Sequence, residues 1–169
     1  MKNLVSHSNY RPDVQGLRAI AVLLVVIYHS GIGYFPGGYI GVDIFFVISG
    51  YLITGLLHRE LEHSGSVDFM QFYAKRIRRL LPAVTVVLIT TVIAAWYLYS
   101  PLEMKQFSSS AFATSIYLSN AWFAHLAMDY LAESASANPL LHTWSLSVEE
   151  QFYFVWPLFI FILARTGGT

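Results

Sequence analysis

Residues 19–28 read Ala-Ile-Ala-Val-Leu-Leu-Val-Val-Ile-Tyr, an apolar run opened by Arg18 and closed by His29. Such a run ends up either in a protein core or in hydrocarbon, and the rest of the chain decides which. A membrane-crossing helix needs about 20 mostly apolar residues. With its flanks the run extends from Gly16 to Gly33, and four further stretches approach that length: 39–57, 80–99, 107–122 and 148–164. The stretch 107–122 is the weakest, diluted by Ser108, Ser109, Ser110, Thr114, Ser115, Ser119 and Asn120. Composition settles the solvent. The 169 residues are 56% hydrophobic and only 12% charged, whereas a soluble domain carries about 25% charged residues. Ten basic and ten acidic residues balance, so the excess of cations that binds nucleic acid is absent. Cysteine is also absent, which removes disulfides, thiolate metal ligands and a cysteine nucleophile.

The expected fold is therefore all-α, a polytopic transmembrane helical bundle of about five spanning helices. Between spans two and three, Phe69, Phe72, Tyr73, Ile77 and Leu80 recur at helical spacing with Lys75, Arg76, Arg78 and Arg79 among them. That pattern predicts an amphipathic helix on the cytoplasmic membrane face. His58–His63 reads as a solvated helix end, Ser64-Gly65-Ser66 as a turn, and Pro82 as a first-turn residue of span three. Lys2 and Arg11 could open a signal peptide, but Arg18 at the start of the run and the lack of a small-residue cleavage site speak against it. The cations before span one and those between spans two and three fall on one side, which the positive-inside rule makes the cytoplasm. The N-terminus is then cytoplasmic. Span parity would put 123–147 there too, although no Lys or Arg occurs from Gln106 to Ala164. A partly re-entrant segment would reconcile the two.

Ionisable groups in apolar spans are costly and ask for a reason. Arg18 and His29 project from one helix face, about 16 Å apart along the axis. Histidine moves protons near neutral pH; equally, Arg18 suits a snorkelling anchor and His29 an interfacial residue. Asp43, near the outer start of span two, either pairs with His29 and holds its tautomer or complements the helix dipole. Arg76 and Arg79, three apart, share a face and suit phosphate oxygens or anionic lipid heads. In His142-Thr-Trp-Ser-Leu-Ser-Val-Glu149-Glu150-Gln-Phe-Tyr153, two carboxylates enter an apolar span. Ser145 or Ser147 would serve as N-cap, with an acid in the first turn. The six histidines show no ligand spacing, so no metal is expected.

Four segments carry a resemblance. Tyr10-Arg-Pro-Asp-Val-Gln-Gly-Leu-Arg18 with His29, Gly41-Val-Asp-Ile-Phe-Phe-Val-Ile-Ser-Gly50, Phe72-Tyr-Ala-Lys-Arg76-Ile-Arg-Arg79 and Trp144-Ser-Leu-Ser-Val-Glu149-Glu-Gln-Phe-Tyr153 resemble, in order and spacing, the membrane acyltransferase-3 family. The nearest resemblance is to bacterial O-antigen and polysaccharide O-acetyltransferases. It implies an acyltransferase of the bacterial inner membrane that moves an acyl group, usually acetyl from cytoplasmic acetyl-CoA, to a hydroxyl of an envelope carbohydrate such as lipopolysaccharide O-antigen. Arg18, Arg76 and Arg79 would hold the donor. His29 would be the catalytic base or an acyl relay, and Glu149 its catalytic partner. Asp43, Glu150, Tyr153, Trp144 and Ser147 would support them. Partners are membrane lipid, acyl-CoA and the carbohydrate acceptor. A full domain of this family has about ten helices by resemblance, so 1–169 is expected to be the N-terminal portion of one integral-membrane domain. The competing expectations are an inactive truncated fragment and a proton-coupled transporter segment in which His29, Asp43 and Glu149 relay protons.

Overall fold

A computed structural model describes residues 11–31, 36–128 and 137–166. Six helices follow in order: α1 (Pro12–His29), α2 (Ile40–Ser64), α3 (Phe69–Leu98), α4 (Pro101–Ser115), α5 (Ser119–Met128) and α6 (Thr143–Thr166). Of these, α1, α2, α3 and α6 are long and apolar enough to cross a membrane. Their apolar surface is largely bare: Val47, Trp96 and Phe154 are 72%, 73% and 71% exposed. Water would make that arrangement very unfavourable; lipid chains make it the ground state. The protein is a multi-pass, all-helical membrane protein.

The chain divides into two compact units, Met1–Gly55 and Leu56–Thr169. In the first, α1 starts with Pro12 at a position whose N–H has no partner in any helix. Arg11 just before it donates to Asp13 at 2.7 Å and to the Tyr51 hydroxyl of α2 at 3.2 Å. The two helices meet at glycines. A Cβ on Gly38 would stand 2.5 Å from the Leu24 carbonyl oxygen, and one on Gly41 would collide with the Ala21 carbonyl and the Val25 side chain. Small residues let helix backbones approach to van der Waals distance, which drives association where the hydrophobic effect is absent.

In the second unit, Gly65 takes a left-handed φ of +68° in the expected Ser64–Ser66 turn. Asp68 then caps α3, accepting from the Gln71 N–H at 2.9 Å. The amphipathic segment is not a separate surface helix. It is the first part of α3, whose 30 residues run unbroken through Pro82, about 45 Å in all. Pro82 is thus a helix-interior residue and not a first-turn one. The carbonyl it frees belongs to Arg78, in the exposed cationic stretch, where polar surroundings can satisfy it.

The expected fourth span is not a span. Its polar dilution breaks the helix: α4 ends at Ser115 and Tyr117 enters the left-handed region at φ 55°. The Leu118 N–H bonds the Ala113 carbonyl at 2.8 Å and the Tyr117 N–H bonds Thr114 at 3.1 Å, the paired C-terminal bonds of a Schellman ending with tyrosine where glycine is usual. Three of the hydroxyls that weakened the span, those of Ser110, Thr114 and Ser119, point inward, whereas Ser108 and Ser115 are exposed. Ser110, Thr114, Ser119, Thr143 and Ser147 are all buried. Thr114, Thr143, Ser119 and Ser147 form one chain of hydroxyl contacts at 3.1, 3.0 and 2.7 Å. Ser110 accepts from the Trp122 indole at 3.0 Å and the Asn138 amide at 2.9 Å. Asn120 and Gln151 exchange amide bonds at 3.0 and 2.9 Å, and Gln151 also donates to the Tyr117 carbonyl. Beside this network, Ala95, Phe107, Phe123 and Leu140 form the apolar core.

Ring and hydrogen-bond contacts order α3 and α6 antiparallel: Phe69 meets Phe161, Tyr73 donates to the Phe154 carbonyl at 2.9 Å, and Arg76 meets Tyr153. From that last contact α6 runs about 15 Å back to Thr143, while α3 runs about 33 Å to Leu98. The N-terminus of α6 therefore opens part-way along α3. The turn before it lies alongside the middle of α3, covered by protein: Leu140 is fully buried and its N–H is bonded by the Asn138 side chain at 2.9 Å. Non-helical backbone at such depth is tolerated only when protein covers it. Residues 129–136 of the ambiguous segment 123–147 lie outside the described residues.

Two expected outcomes test these packing arguments. Gly41→Leu should cost about 1–3 kcal/mol of stability, read as thermal unfolding in detergent. Gly37→Ala, where nothing lies within 4 Å of an added Cβ, should be neutral. At the start of α4, Ser100 and Glu103 form a reciprocal capping box that holds the Glu103 carboxyl below its ordinary 4.5. A depressed pKa contributes stability above the unfolded value and loses it as pH falls through the folded one. Glu103→Gln should therefore flatten the acid limb of the stability profile below about pH 4.5.

Candidate functional site

Helix α6 distributes its polar residues by angle. Thr143, Ser147 and Gln151, four apart, lie on one face and engage α4 and α5 through the bonds described above. Glu149 and Tyr153, also four apart, lie on another face toward α3, and Glu150 falls between the two. Because α6 begins at Thr143 with no acid in its first turn, neither glutamate complements a helix end, and Ser145 and Ser147 are helix-interior residues, not caps.

On the α3 side, the Arg76 guanidinium lies over the Tyr153 ring at 3.6 Å and near Phe72 at 5.3 Å. A cation over an aromatic face is attracted to the ring's negative quadrupole, by up to about 2 kcal/mol when desolvated. The Tyr153 hydroxyl donates to Glu149 Oε1. One buried tyrosine thus holds a guanidinium by its face and a carboxylate by its edge. Glu150 lies close enough for the charges of Arg76 and Glu149 to act on it. Its Oε1 is buried and receives no hydrogen bond among the described residues, an arrangement that costs about 1–3 kcal/mol. The Tyr117 phenol, behind Glu150, is pushed up by burial and by that carboxylate's charge.

Arg79, on the same face as Arg76, is exposed while Arg76 is half-buried. The two arginines of the R-x-x-R segment are therefore not equivalent. Arg76 is fixed by protein, and Arg79 projects freely with Arg78 beside it. Lys75 is tied back to Gln71 at 2.8 Å. Trp144 sits in the first turn of α6, 39% exposed.

In the first unit, Arg18 and His29 share the continuous helix α1, Arg18 half-buried and His29 exposed at its last residue. His29 Nδ1 lies 2.9 Å from the Val25 carbonyl oxygen. A carbonyl only accepts, so Nδ1 carries the proton, and Nε2 is the nitrogen whose lone pair a base would use. The pairing expected of Asp43 is not formed. Asp43 is exposed in the first turn of α2, where it complements the helix dipole, and the backbone of α1 sets the His29 tautomer instead.

Of the residues singled out from sequence, Arg76, Glu149, Glu150 and Tyr153 come together on α3 and α6, and Ser147 joins the hydroxyl chain behind them. Arg18, His29 and Asp43 belong to the first unit. Sequence reasoning missed the Asn120–Gln151 amide pair and the Asn138–Ser110–Trp122 cluster. Their only signal was the density of Ser, Thr and Asn in 108–120, which was taken as dilution.

The model of the acyltransferase domain, acyltransferase-3 type, matches residues 11–169. The chain is 41% identical over 166 residues to the peptidoglycan O-acetyltransferase OatA of Listeria monocytogenes, covering 98% of this chain and 26% of that protein. It is 41% identical to the putative peptidoglycan O-acetyltransferase YrhL of Bacillus subtilis, covering 96% and 25%. To the O-acetyltransferase OatA of Staphylococcus aureus it is 43% identical, covering 92% and 26%. The chain thus spans about a quarter of the length of these relatives. No solved structure matches it. Four long apolar helices, Arg76 of the R-x-x-R segment seated on Tyr153, and a family match over nearly every residue agree, and the chain belongs to the acyltransferase-3 family of membrane proteins.

Proposed function

We propose that the protein transfers an acetyl group from acetyl-CoA to a hydroxyl of a cell-wall glycan of the peptidoglycan type. The names of its relatives favour that acceptor over the O-antigen expected from sequence. The observation that carries the reading is the locked tautomer of His29. A base for an alcohol needs a free imidazole nitrogen, and the Nδ1–H to Val25 contact supplies one at Nε2. Nε2 takes the proton of the acceptor hydroxyl as its oxygen attacks the thioester carbonyl. The C–S bond breaks, an ester C–O bond forms, and the proton passes to the departing CoA sulfur.

Arg79, exposed at the cationic end of α3, is the better candidate for the donor phosphates. Arg76, held on the Tyr153 ring near Glu150, positions that side of the site and orients the donor. Arg18 gives the first unit its own cation for the donor. The positive-inside rule supports a bacterial inner-membrane protein with the N-terminus and the α3 cations in the cytoplasm. With α4 and α5 too short to cross, α3 ends and α6 begins toward the outer side, which fits the near-lack of cations between them, and α6 returns Arg165 inward. On this four-span reading the parity conflict of the five-span expectation does not arise.

Cells lacking wall-glycan O-acetylation provide the test, with base-labile acetate quantified by mass spectrometry after expression of the protein. His29→Ala should reduce acetylation by about 10²–10⁴-fold at unchanged membrane abundance. Acetylation unaffected by His29→Ala would refute the reading and leave the transporter and inert-fragment alternatives. In purified protein, Arg79→Ala should raise the KM for acetyl-CoA by about tenfold, one charge-assisted hydrogen bond's worth, with little change in kcat.

A further inference from the structure

Glu150 is the polar group on α6 that the fold does not use. Its neighbours are committed: Ser147 to Ser119, Gln151 to Asn120 and Tyr117, and Glu149 to the Tyr153 hydroxyl. Glu150 lies on the helix face between these sets, and its buried Oε1 receives no hydrogen bond among the described residues. It is the eighth residue of α6, too far in to serve the helix end. A membrane helix carries an ionisable group at such a place only for a reason.

The surroundings restrict what would satisfy that oxygen. Glu150 stands beside the adjacent carboxylate of Glu149 and within reach of one guanidinium, that of Arg76, which the Tyr153 ring already holds. A phosphate would be repelled. The oxygen instead suits a neutral donor, an O–H or an N–H, brought in by a ligand. We propose that Glu150 Oε1 is a substrate-binding acceptor that takes a hydrogen bond from a neutral hydroxyl or amide N–H of bound substrate. The proposal rests on the acyl-transfer reading, in which two sources offer this chemistry: the amide N–H groups in the pantetheine arm of acetyl-CoA, and the hydroxyls of the acceptor glycan. On either source, Glu150 trades stability for binding, because the empty protein keeps an unsatisfied oxygen.

Two variants of the whole protein separate the outcomes. Glu150→Met keeps the length of the side chain and removes its polar atoms; Glu150→Gln keeps one acceptor oxygen. Transfer is measured with acetyl-CoA and peptidoglycan fragments, alongside calorimetric binding of each probe and thermal unfolding in detergent. Glu150→Met should lower kcat/KM at least tenfold, Glu150→Gln less, with the melting temperature of the Met variant equal to or above wild type. A KM rise confined to acetyl-CoA assigns the bond to the pantetheine amide; one confined to the glycan assigns it to an acceptor hydroxyl. Wild-type kinetics in both variants overturn the proposal. So does a fall in melting temperature that accompanies lost activity, which would make Glu150 a structural partner of Arg76. If the wild-type protein transfers no acetyl group, the acyl-transfer reading fails. Binding then decides Glu150 separately: weaker binding of either probe by the Met variant supports it, and equal or absent binding overturns it.

Discussion

A polar group taken into hydrocarbon must bring its partner with it, and the second unit of this protein is arranged around that constraint. Helix α6 opens part-way along α3, where its first N–H groups and the turn before it have no lipid-side partner. The Leu140 and Leu141 carbonyls and the Asn138 side chain accept from those N–H groups, while Thr143, Ser119, Ser147 and the Asn120–Gln151 pair satisfy one another's polar side chains. The broken α4–α5 pair exists to present them. Two short helices side by side place several hydroxyls and amides against one turn, which a single straight span would not do. With α6 held at that depth, Tyr153 comes level with Arg76, and the charged cluster forms at the other face of the same helix.

Much of this was legible in the chain. Apolar length marked the helices that cross, and the break at Ser64–Ser66 marked a turn. The R-x-x-R segment and the Glu149–Tyr153 segment were each recognisable as segments of the family pattern. Their seating against each other was not, since a stacking contact between residues 76 and 153 leaves no local pattern. The clearest misreading has a physical cause. Ser108–Asn120 lowered local hydropathy, and hydropathy does not distinguish a hydroxyl facing lipid from one whose partner is a further hydroxyl some 24 to 29 residues away. The continuity of α3 through Pro82 escaped for a similar reason: proline's cost depends on what its freed carbonyl meets, and that is set outside the helix.

In the first unit the economy is different. Few side chains are buried there, and the pairing of α1 with α2 depends on the missing side chains of Gly38 and Gly41. The close backbones leave Ala21, Leu24, Val25 and Tyr28 as the contact strip. Val25 is therefore tied twice, its side chain against α2 and its carbonyl to His29. The histidine that carries the proposed chemistry is held by the Val25 carbonyl and by an edge-on contact with Tyr28, and the main-chain part of that hold leaves no side-chain pattern.

The length of α3 has a mechanical consequence. Its cationic end and its packed end, at Ala95, belong to one uninterrupted rod. About 28 Å separates Arg76 from Ala95 along the axis, so a tilt of about 5° about the packed end sweeps the guanidinium sideways by about 2.5 Å. That is the difference between a seated and an unseated hydrogen bond. Because Phe69, Tyr73 and Arg76 also seat that end against α6, a tilt of the rod must carry α6 with it or break those contacts, so the stiffness of α3 ties the seating of the charged cluster to the packing of the core.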